Sequence, residues 1–83
     1  MLNLITNYEQ AKVACDAADA AYMNDFENAE LENAFMIAYK AEFDAGEKLI
    51  DAITTVAPIT RSIARKMITT QFEALKSLAE RFL

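Results

Sequence analysis

The stretch from Ala29 to Ala57 constrains the fold more than any other part of the chain, because it reads as one long helix carrying two adjacent apolar stripes. One stripe is Phe35, Ala38, Ala45, Leu49, Ala52 and Val56; the other is Met36, Tyr39, Phe43, Gly46, Ile50, Ile53 and Ala57. Both advance by threes and fours or their multiples, the spacing that keeps side chains on one side of an α-helix. The opposite side, with Asn33, Lys40, Asp44, Glu47, Lys48, Asp51 and Thr55, is polar, so the helix is amphipathic. Two stripes are too wide for a single neighbour. Two further helices, or one helix and a second copy of the chain, are needed to cover them.

The flanking sequence supplies candidates. Thr6-Asn7-Tyr8-Glu9 has the pattern of a capping box and predicts a first helix over about 6–24, with Tyr8, Ala11, Cys15, Ala18 and Tyr22 facing inward. Asn24 to Asn28 predicts a break, with Asn24 as cap and Asp25 and Glu27 at the positive end of a central helix over 25–57. The alternative is one uninterrupted helix from Asn7 to Val56, since no Gly or Pro precedes Gly46. The β-branched run Ile53-Thr54-Thr55-Val56 and then Pro58 end the central helix. A third helix is predicted over 59–82, with Pro58 in its first turn or Thr60 as its cap. Its apolar side is Ile63, Ala64, Met67, Ile68, Phe72, Leu75, Leu78, Ala79 and Phe82.

With one Gly and one Pro there is little turn chemistry for β-hairpins. The expected fold is therefore all-α: a single helical domain over 1–83, built as an antiparallel three-helix bundle or a long helical hairpin and completed by homodimerisation. The dimer follows from helix lengths, because a short first helix beside a long central one leaves part of the central apolar face without a third wall. The candidate interface is Phe43, Gly46, Leu49, Ile50 and Ile53, with Ile63 and Met67 opposite.

Charge is split along the chain. Residues 1–57 hold three Lys against eleven Asp and Glu, a net of −8, whereas residues 58–83 carry a net of +3. Asp16, Asp19, Asp44, Glu47 and Asp51 form the candidate acidic face, and Arg61, Arg65 and Lys66 the candidate basic patch. The basic cluster sits at a helix start, where the dipole disfavours cations, so it is expected to answer carboxylates of another helix or another copy.

Most chemistries lack their residues. The chain has no His, which removes Ser-His-Asp and Cys-His catalysis and His-ligated metal sites. The only Gly lies inside a helix, so there is no phosphate-binding glycine loop. Cys15 lies on the inner face of the first helix between Tyr8 and Tyr22, and acidic neighbours such as Asp16 do not favour a thiolate, so it is expected to be a core residue. Asp44, Glu47 and Asp51 share a face at metal-ligand spacing, but Lys40 and Lys48 flank them and a solvated acidic face is the better reading. No cofactor is expected. The basic patch is too small for nucleic acid, and the third helix, with no Trp, is a poor membrane binder. The longest uncharged run, Ala52 to Thr60, is too short to cross a bilayer, and Met1 to Ile5 lacks the basic start of a secretory signal. An intracellular, cytoplasmic protein is expected.

What remains is a non-enzymatic, acidic, helical protein–protein interaction module, self-associating as a structural or assembly subunit. The alternative is a small acidic inhibitor or adaptor of phage type that docks on the basic surface of a host nucleic-acid-handling complex.

Overall fold

The computed structural model describes residues 2–82, so Met1 and Leu83 lie outside it, and the described residues form no strand. Four helices follow one another: α1 (Leu2–Asn24), α2 (Ala29–Val56), α3 (Arg61–Thr70) and α4 (Phe72–Phe82). The 28 residues of α2 rise about 42 Å, which accounts for most of the 45 Å long axis of the molecule.

α1 and α2 lie against each other in opposite directions. Tyr22 stacks on Phe35 at 5.9 Å near the connection, and Tyr8 meets Gly46 far from it. In α1 the seam is Leu4, Tyr8, Ala11, Cys15, Ala18 and Tyr22; in α2 it is Leu31, Phe35, Ala38, Glu42, Ala45, Leu49 and Ala52. Both series alternate steps of four and three, the repeat that keeps two helices in register along their length. Alanine at alternate seam positions allows the two backbones to approach closely.

The break at residues 25–28 is present, which excludes the uninterrupted helix, but its cap is Asn28 and not Asn24. Asn24 still belongs to the last turn of α1, while the Asn28 side-chain oxygen accepts from the backbone N–H of Glu30 at 3.0 Å and of Leu31 at 3.4 Å. The capping box at Thr6 does not form, since α1 is already helical there. Continuing the helix back through Leu4 and Ile5 seats both on the core, a gain in apolar burial that outweighs a surface cap. Thr60 caps α3 as one reading of the sequence has it, its hydroxyl accepting from the Ile63 N–H at 3.2 Å.

The predicted third helix is two helices. At Gln71 the backbone leaves helical geometry (φ −140°, ψ 53°) and redirects the chain. Just before it, the Thr69 and Thr70 hydroxyls both donate to the Lys66 carbonyl, at 3.0 and 2.7 Å, the back-bonding that bends helices.

This bend corrects the candidate interface. Because the chain turns at Gln71, α3 lies on α2 while α4 reaches α1, and together they wall the half of α2 that the sequence reading left open. Leu49, Ile50 and Ile53 are 0, 2 and 0% exposed inside a core shared with Ile5, Tyr8, Ala57, Ala64, Ile68, Leu75 and Ala79. They are not a free face. All four helices contribute to this core, which sits at the end of the molecule away from the 25–28 connection.

Candidate functional site

The second stripe of α2 is treated differently along its length. From Gly46 to Ala57 it lies in the core, whereas Met36, Tyr39 and Phe43 are 57, 53 and 58% exposed. The cover stops because α3 has only 10 residues, about 15 Å of helix. Beyond it Gln71 turns the chain toward α1, where Phe72 packs on Tyr8 with ring centroids 5.2 Å apart.

Where the end of α3 meets the bare half of the stripe, an open cleft of about 360 Å³ forms between α1, α2 and α3. Tyr8, Gly46, Ile50 and Ile68 make its apolar floor, and Tyr39 and Phe43 stand along it. Lys12, Glu42, Glu47, Arg65 and Thr69 complete its rim. Gly46 fixes the depth of the floor: a β-carbon there would lie 3.3 Å from Tyr8 Cε1 and 3.5 Å from Ile68 Cδ1, so glycine lets both neighbours reach the α2 backbone. A second, more open depression on the outer side of α1 is lined by Glu9, Gln10, Val13, Ala14 and Ala17.

The charges around the cleft are unevenly satisfied. Arg61 bonds Glu47 at 2.7 Å and pairs with Asp51, and Arg65 bonds Glu47 at 2.8 Å. The basic patch therefore answers the acidic face of α2 within the same chain. Lys66 is exposed and has no carboxylate within 4 Å among the described residues. Asp44 pairs with Lys40 at 3.6 Å and Asp16 with Lys12 at 3.9 Å. With Glu47 and Asp51 turned toward arginines and Asp44 toward a lysine, the three do not gather around a cation. No cluster of three or more metal-binding side chains occurs among the described residues.

Glu42 differs from these. It is half-buried at a seam position otherwise held by apolar residues, opposite Cys15, with no cation within 4 Å among the described residues. Burial pushes the Cys15 thiol above its ordinary value, and the negative charge and hydrogen bond of Glu42 push it further. The Tyr8 phenol is raised for the same leading reasons, burial and then Glu42. Both groups stay protonated at neutral pH, so the buried thiol is not a nucleophile.

Of the expected interface residues, the structure brings Phe43, Gly46 and Ile50 to the cleft, places Leu49 and Ile53 in the core, half-buries Met67 and leaves Ile63 exposed on α3. Tyr8, Lys12, Tyr39, Glu42 and Ile68 belong to the site without having been singled out for it. Tyr39 was visible as a member of the stripe, and Glu42 as the one charged residue breaking the α2 seam. No helix among the described residues is long and apolar enough to cross a membrane. No protein-family model, curated protein or solved structure matches this chain.

Proposed function

We propose that this chain is a non-enzymatic protein–protein interaction module that receives a helix of a partner protein in the cleft and along Met36, Tyr39 and Phe43. The observation that carries the reading is the continuity of the stripe. Its second half is covered by the chain's own α3, and its first half presents the same chemistry at the same spacing with nothing on it. A helix laid end to end with α3 would repeat on Met36, Tyr39 and Phe43 the contact α3 makes with Ile50. Fully burying three such side chains contributes about 1.5–3 kcal/mol each as an upper bound, in the range that supports specific binding.

Self-association as a structural or assembly subunit rests on an open face at Phe43, Leu49, Ile50 and Ile53, of which α3 and α4 cover the last three and leave Phe43 exposed. The charge layout favours the other expectation, an acidic adaptor or inhibitor that docks on a partner. Between Lys12 and Lys40 the chain has six carboxylates and no basic residue.

Peptide display tests the reading. Random peptides are selected on the wild-type chain and counter-selected on Phe43→Ser, whose fold is checked by circular dichroism. Enrichment of peptides that bind wild type and are lost on Phe43→Ser is expected. Enrichment of none that depend on Phe43 would sink the proposal.

A further inference from the structure

Resting on that reading, we infer that the occupant of the cleft is a basic amphipathic helix: one apolar stripe flanked by Lys or Arg. Eleven carboxylates lie in α1, α2 and their connection, and five of them, Glu9, Asp16, Asp44, Glu47 and Asp51, have a cation within 4 Å. Asp19, Asp25, Glu27, Glu30, Glu32 and Glu42 have none among the described residues. All six fall between Asp19 and Glu42, the part of the chain that α3 and α4 leave uncovered. The unpaired negative charge and the uncovered apolar stripe therefore coincide.

Geometry places two of these carboxylates beside the stripe and one at its foot. Glu32 precedes Met36 by four residues, one turn along the same flank of α2. On α1, Asp19 follows the cleft residue Lys12 by seven, two turns along the same flank. Glu42 lines the cleft itself, half-buried and without a cation. A carboxylate moved out of water without a partner is unfavourable, and a cation delivered with the ligand removes that penalty. The one cation on the α1 rim, Lys12, is held by Asp16.

The same charges argue against a second copy as occupant. Two-fold docking through this face would set the acidic surfaces of two chains against each other, each carrying −8 over residues 1–57. Of the cations that could relieve the repulsion, Arg61, Arg65 and Lys76 already pair with Glu47, Asp51 and Glu9, which leaves, among the described residues, Lys48, Lys66 and Arg81 against the six unpaired carboxylates.

The test uses three synthetic 20-residue peptides with one shared leucine stripe at helical spacing, the other positions being Lys, Gln or Glu. Dye-labelled peptides are titrated with the full chain and followed by fluorescence anisotropy in 50 and 300 mM NaCl. The Lys peptide should bind saturably, the Gln peptide at least tenfold more weakly and the Glu peptide not measurably. Raising the salt should weaken the Lys peptide at least tenfold. Asp19→Asn with Glu42→Gln should cost the Lys peptide about tenfold and bind the Gln peptide no more weakly than wild type does, and Phe43→Ser should abolish both. Equal binding of Lys and Gln peptides, both lost on Phe43→Ser, would leave the cleft as a helix site and overturn the basic occupant. Binding that ignores Phe43, or no binding by any peptide, would overturn both.

Discussion

Replacing Gly46 by leucine tests whether the floor of the cleft is as tightly built as its distances say. A β-carbon at this position already meets Tyr8 Cε1 at 3.3 Å, closer than carbon atoms prefer, and Ile68 Cδ1 at 3.5 Å. Leucine adds three more carbons, and Tyr8, backed by Phe72, can yield only toward the cleft. Overpacking a site of this kind costs about 1–3 kcal/mol. Leucine also removes a helical glycine, which recovers close to 1 kcal/mol. The net effect expected for Gly46→Leu is a loss of up to about 2 kcal/mol, a melting temperature lower by up to about 16 °C for a domain of this size, whereas a site without the contact would gain close to 1 kcal/mol. Thermal melts by circular dichroism measure it. In a Tyr8→Ala background the leucine has space, so Gly46→Leu should be clearly less harmful there, giving a coupling of opposite sign to the single loss. A Gly46→Leu variant that melts higher than wild type, or that costs as much without the Tyr8 ring, would refute the close contact.

Three further outcomes follow from the same structure. Ile53→Ala, at a site with no exposure, should lower stability by about 2–5 kcal/mol in urea unfolding, whereas Ile37→Ala, 64% exposed, should stay within about 0.5 kcal/mol; equal losses would mean that the core is elsewhere. Arg61→Gln with Arg65→Gln removes ion pairs to Glu47 and Asp51 that solvent screens, so the loss should be small and should shrink in 0.5 M salt; a large, salt-insensitive loss would contradict this. Burial, reinforced by Glu42, holds the Cys15 thiol and the Tyr8 phenol above their ordinary values, near 8.5 and 10. The folded chain therefore keeps these protons more tightly than the unfolded one. Stability from this source is complete below about pH 8 and is lost as pH rises through the raised values. Urea midpoints measured from pH 7 to 10.5 should fall, and fall less in Cys15→Ala with Tyr8→Phe; a flat wild-type profile would argue against it.

The sequence made the central helix and its two faces legible because α2 obeys a simple period for 28 residues. The stripe through Phe35, Ala38 and Leu49 lies in the seam with α1, and the stripe through Ile50 and Ile53 needed a second neighbour, as it has. The connection was visible in its Asn and Asp residues, but Asn24, Asp25 and Asn28 are all capping types, and Asn28 takes the role that the sequence offers to Asn24. The Gln71 bend was hidden, since neither Gly nor Pro marks it and the apolar pattern runs straight across it from Ile68 to Leu75. Its only local trace is the Thr69-Thr70 pair. Missing that bend extended the expected open surface from Phe43 to Leu49, Ile50 and Ile53 and left Tyr39 and Met36 out of it. Of the site, the aromatic stripe could be read from spacing, whereas Tyr8 and Ile68 join it only through contacts between distant parts of the chain.

The core draws on residues from Ile5 to Ala79, with the chain's first and last helices meeting over the middle of its length. Order of synthesis then matters. α1 and α2 can pair as soon as residue 56 has left the ribosome, yet Leu49, Ile50 and Ile53 wait for α3 and α4 to emerge before they are shielded. At about 5–20 residues per second that interval lasts on the order of seconds. During it the nascent chain displays one unbroken apolar line from Met36 to Ala57, about three times the length of the Met36 to Phe43 face that the folded chain leaves open.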